Sequence, residues 1–136
     1  MQNSTRSSHP TITEKDVQET VRRLADAESQ YYNALGQKRE SWEEIEKIFT
    51  AQELDRAIVK KLAKSEVVPM KEYRTVLEAM DTKQKHLNDY EVIYKDAAKS
   101  VILRGKAVAD LRKQLEWMDK EMESRGKVYE FRKANS

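Results

Sequence analysis

The residues able to do chemistry in this chain are few and scattered. It has two histidines, His9 and His86, and no cysteine. A carboxylate metal centre in a helical bundle needs Glu-x-x-His pairs on facing helices. Neither histidine has a Glu three residues before it. Glu40, Glu43, Glu44 and Glu46 therefore read as a solvated acidic face rather than as ligands. His86 stands one residue before Leu87 and three before Asp89, an arrangement open to a pH switch or a metal ligand. The plainer reading, a histidine on the flank of a helix, is preferred. A Gly-rich phosphate loop, a Cys/His zinc spacing and a Gly-x-Ser-x-Gly elbow are all missing from the sequence. The expectation is a non-enzyme with no cofactor and no metal.

Binding chemistry is a better prospect. Arg56, Lys60, Lys61 and Lys64 gather ahead of a predicted turn, and Arg125, Lys127, Arg132 and Lys133 near the C-terminus. Of these, only the C-terminal group has aromatics interleaved, Tyr129 and Phe131, as stacked bases would require. With 26 basic against 24 acidic residues, the balance is too even for a protein devoted to neutralising phosphates. Nucleic acid is thus disfavoured as a partner. A nucleic-acid-associated regulator stays behind two protein-binding readings.

The elements that position these groups follow from periodicity. Every seventh residue from Tyr73 is apolar or aromatic: Met80, Leu87, Tyr94, Val101, Val108, Leu115, Met122 and Tyr129. A seven-residue repeat holds one seam on one side of an α-helix, which calls for a partner along its length. Upstream, Val17, Val21, Leu24, Tyr31, Leu35, Trp42, Ile45 and Phe49 form a weaker seam, interrupted by Glu28 and Lys38. Thr13 offers an N-cap before Glu14 and Asp16. Pro69, preceded by Val67 and Val68, marks the turn.

The predicted fold is all-α: a long antiparallel, coiled-coil-like helical hairpin. A flexible arm covers 1–12, and a single hairpin domain covers 13–136. Its helices run over about 13–64 and 69–132, with a turn at 65–68. Thr50-Ala51-Gln52-Glu53 has the form of a capping box, which leaves two readings: the first helix kinks or restarts near Thr50, or it runs on and the box is an accident of sequence. Pairing outward from the turn sets residue i opposite about 133 − i. Tyr31 is then expected near Val101, Trp42 near Tyr90–Tyr94, and Val17 near Leu115. Gly105 and Gly126 read as close-contact points or soft spots.

A second apolar row in the later helix, Val76, Tyr90, Ala97, Leu111 and Met118, reads as surface that one partner helix leaves uncovered. Homo-oligomerisation or docking into a larger assembly follows from that reading. Candidate partner contacts are Tyr32, Trp117, Met122, Tyr129 and Phe131. Long hairpins of this kind resemble, in shape alone, export-apparatus stalk proteins, the arms of efflux adaptors and helical scaffold or connector proteins of phage particles. The leading expectation is a structural or assembly protein, such as a component of a virus capsid or tail. An adaptor or chaperone of an export system that binds a client segment comes second. No apolar run approaches the ~20 residues of a membrane span. Met1–Pro10 lacks the apolar region of a signal peptide. The expected place is the cytoplasm or an assembled particle.

Overall fold

The computed structural model describes residues 11–124. Two helices account for nearly all of that range: α1 is Glu14–Ala63, 50 residues, and α2 is Met70–Ser124, 55 residues. They pack against each other as an all-α helical hairpin, and no strand occurs among the described residues. The expected helix over 125–132, Gly126 and most of the expected arm, 1–10, lie outside the described residues.

α1 begins where Thr13 can cap it. The Asp16 amide donates to Thr13 Oγ1 at 3.2 Å, and the Thr13 amide donates to Asp16 Oδ2 at 3.0 Å. This reciprocal pair satisfies amides that an open helix end leaves unbonded. At its other end α1 tightens. The Lys64 and Ser65 amides donate to the Lys61 and Leu62 carbonyls three residues back, at 3.3 and 3.2 Å. Lys60 and Lys61 in that last turn favour the negative end of the helix dipole. Pro69 then opens α2: its carbonyl accepts from the Tyr73 amide at 3.0 Å, and its missing N–H costs nothing there.

Of the two readings at Thr50, the continuous helix is the one observed. α1 is helical straight through that position. Thr50 Oγ1 donates to the Glu46 carbonyl at 3.1 Å instead of capping a new helix. A Thr side chain inside a helix has that back-bond available at every turn, so a capping-box sequence alone does not start a helix.

Contacts divide the chain into two units, 1–31 with 103–136, and 32–102. In the first, Ile12, Val17, Met118 and Met122 form a buried cluster with Leu115 against it. Ile12 was expected in the loose arm, yet it is buried there. Thr20, also buried, donates to the Asp16 carbonyl at 2.9 Å and approaches Met118 Sδ at 3.5 Å. Arg112 pairs with Glu28 at 2.8 Å, and Arg104 hydrogen-bonds Gln30. Gly105 is the close-contact point it was expected to be. A Cβ on it would stand 3.2 Å from the Tyr31 ring.

In the second unit, Ala34, Ser41, Ile45, Leu87 and Ala97 are buried. Trp42 and Tyr94 stack at 5.4 Å between ring centroids, tilted by 46°. A polar layer follows: Gln52 Nε2 donates to Gln84 Oε1 at 3.1 Å, and Lys83 Nζ meets Asp55 Oδ2 at 2.5 Å.

Both units are antiparallel. Trp42 meets Tyr94, and Val17 shares a cluster with Leu115, as the pairing predicts. Elsewhere the register is shifted by a few residues: Gln52 meets Gln84 where Asp81 was expected, Asp55 meets Lys83 instead of Glu78, and Tyr31 meets Gly105 instead of Val101. Side chains lean toward their own helix's N-terminus, so each surface spot is covered by a residue about one position C-terminal to it. In an antiparallel pair the two displacements add, which supplies about two residues of this offset.

Candidate interaction face

The two helices meet along one seam each, with steps alternating between three and four residues. On α2 it takes in the predicted row, Tyr73, Met80, Leu87, Tyr94, Val101, Val108, Leu115 and Met122, every one buried or half-buried. It also takes in the second row, Val76, Tyr90, Ala97, Leu111 and Met118, buried or half-buried in the same way. That row is not spare surface. In a helix pair the rows at i and i+3 are the two halves of one seam.

On α1 the expected seam is met in part. Val17, Leu24, Tyr31 and Ile45 belong to it, together with Ile48, Val59 and Leu62, while small or polar residues hold other positions: Thr20, Ala27, Ala34, Ser41, Gln52 and Asp55, all buried or half-buried. Leu35, Trp42 and Phe49 stand one residue beyond Ala34, Ser41 and Ile48, on the flank. Trp42 and Phe49 are each 46% exposed.

Volume bears on this: α2 brings Met80, Leu87, Tyr90 and Tyr94 into the seam, which limits the room opposite them, although Ile45 and Ile48 are taken in as well. Ser41 meets its own polar needs locally, donating to the Gln37 and Lys38 carbonyls at 2.8 and 3.0 Å. The two polar interruptions read from the α1 sequence both find partners on α2. Glu28 takes Arg112, and Lys38 Nζ lies 5.9 Å from the centre of the Tyr94 ring.

The candidate partner contacts divide accordingly. Tyr32 and Trp117 are exposed on the surface. Met122 is only 2% exposed and is taken up by the cluster with Ile12, Val17 and Met118. Tyr129 and Phe131 lie outside the described residues.

Each unit carries a cleft along the flank. In the unit of residues 11–31 and 103–124, a cleft of about 400 Å³ is lined by Val17, Val21, Leu115 and Met122 together with Arg112, Glu116 and Asp119. In the other unit, Leu35, Lys38, Arg39, Trp42 and Tyr94 line about 430 Å³. These are shallow apolar hollows of the size of one or two side chains.

Little else is assembled. His86 is exposed on α2. Glu40, Glu43 and Glu46 are exposed, and Glu44 pairs with Lys47 at 3.2 Å. Arg56, Lys60, Lys61 and Lys64 all face solvent. Among the described residues no group of three or more His, Cys, Asp or Glu side chains is placed to hold a metal, and no helix is long and apolar enough to cross a membrane.

The polar members of the α1 seam, Thr20, Ser41, Gln52 and Asp55, were not legible in a pattern of large apolar residues. Compared with family models, with curated proteins and with solved structures, the chain matches none.

Proposed function

We propose that this chain is a non-enzymatic assembly protein that associates with protein partners, its own copies first, through the flank of its hairpin. The observation that supports this is the row Leu35, Trp42 and Phe49, left half-covered while smaller residues occupy the seam. Burying an apolar side chain is worth about 25 cal/mol per Å². Large aromatics held half in water therefore favour any contact that covers them. Scattered exposed apolar residues are ordinary on a protein surface, whereas a contiguous strip on one helix is a docking feature.

A multi-subunit particle, a virus capsid or tail among them, is a setting that suits such a subunit. Charge supports association by contact rather than by long-range attraction, since basic and acidic residues nearly balance. Sedimentation velocity across a range from about 1 to 200 μM tests the reading. A weight-average mass that rises with concentration is expected; a helical monomer throughout overturns it.

A second reading, capture of a client segment, draws on the cleft lined by Val17, Val21, Leu115 and Met122. An apolar side chain from a partner helix fits such a hollow. It predicts that Val21→Glu abolishes client capture and leaves self-association untouched.

A further inference from the structure

The α1 flank in the 32–102 unit is self-complementary, and the pattern of charge beside it points to one orientation. Leu35, Trp42 and Phe49 repeat every seven residues, with Trp42 at the centre. The neighbouring outward row at the same spacing is Tyr32, Arg39, Glu46 and Glu53, all exposed. Neither Arg39 nor Glu46 is in an ion pair among the described residues.

We infer that two copies pair antiparallel across this face, on a two-fold axis at Trp42, with Phe49 of each seated beside Leu35 of the other. This rests on the self-association reading above and names its partner, a second copy of the chain. Under that symmetry Trp42 meets Trp42, and Arg39 of each copy comes beside Glu46 of the other, twice. A parallel pairing sets Arg39 on Arg39 and Glu46 on Glu46. Like charges face to face are the stronger discriminator between the two orientations.

The cleft supplies the socket. Leu35, Lys38, Arg39, Trp42 and Tyr94 surround about 430 Å³, room for a Phe side chain arriving next to Leu35. An anionic membrane is a poor alternative occupant, because Glu43, Glu46 and Glu53 stand along the same face. The strip is short: three side chains over ~21 Å of helix. Three side chains are far fewer than the ~20–30 residues a side of a standard stable interface, so a reversible dimer is expected.

Sedimentation equilibrium on the wild type, Arg39→Glu, Glu46→Arg and the double exchange tests this, with circular dichroism confirming unchanged helicity. Each single exchange should weaken dimerisation about tenfold by placing like charges together twice. The double exchange should restore it. Independently, Trp42→Cys in this cysteine-free chain should form a disulfide-linked dimer on oxidation, and Ile102→Cys, exposed elsewhere in the same unit, should not. A dimer indifferent to Arg39→Glu, or one that the double exchange fails to restore, overturns the antiparallel pairing and leaves self-association standing. A monomer at every concentration overturns both.

Discussion

Lys83→Met should destabilise the hairpin more than Asp55→Ala, although each removes one half of the same ion pair. The Asp55 side chain is only 12% exposed, and that of Lys83 is 31% exposed, with 2.5 Å between Nζ and Oδ2. Losing Lys83 strands a carboxylate in a site from which it has little route to water. Losing Asp55 leaves an ammonium on a flexible stem that can turn outward. Breaking a fully buried pair costs about 3–5 kcal/mol. The partial exposure of Lys83 means water already screens this one, so about 2 kcal/mol is expected for Lys83→Met and about 1 kcal/mol for Asp55→Ala.

Replacing both, Asp55→Leu with Lys83→Met, removes the desolvation cost together with the attraction. It should return stability to the wild-type level or about 1 kcal/mol above it. Urea unfolding followed by circular dichroism measures all four proteins, and adding the single variant Asp55→Leu closes a double-mutant cycle that isolates the pairwise part. A larger loss for Asp55→Ala than for Lys83→Met, or a double variant as unstable as Lys83→Met, refutes the reasoning. The first would mean that the lysine is the trapped partner; the second, that the layer is held by something other than charge. Gln52 and Gln84, hydrogen-bonded at 3.1 Å beside this pair, extend a polar layer of the kind that pins register in coiled coils.

Three further outcomes follow from packing and caps. Gly36→Ala should raise the melting midpoint by the equivalent of about 1 kcal/mol, because an added Cβ meets nothing within 4 Å and the helix gains propensity. Gly105→Ala should gain less than half of that, since its Cβ presses the Tyr31 ring at 3.2 Å; equal gains would show the ring yields freely. Met122→Ala should cost about 2–4 kcal/mol in urea unfolding through the cavity it leaves. Trp117→Ala, at an exposed position, should stay within about 0.5 kcal/mol. Thr13→Ala should cost about 1 kcal/mol and speed amide exchange over residues 14–17, where the cap now holds the helix end.

Much of the hairpin was legible because it is written in local terms. The seven-residue row from Tyr73 to Met122, the Thr13 cap and the Pro69 start are each set by backbone geometry and nearby side chains. Those effects do not depend on what packs elsewhere. The same locality left Thr50 open, where a capping sequence sits inside a helix that neighbouring turns already sustain.

What only the tertiary structure decided is which stripe of α1 turns inward. Hydrophobicity alone favours Leu35, Trp42 and Phe49, yet Ala34, Ser41 and Ile48 go in and the larger residues are displaced to the flank. The reason is that packing is a property of a pair. Burial rewards apolar area residue by residue, but the space between two helices is shared, and α2 has filled its part with Met80, Leu87 and Tyr94. Shared volume as well as hydrophobicity selects the facing residues, and the face this leaves half in water is the one open to a second molecule.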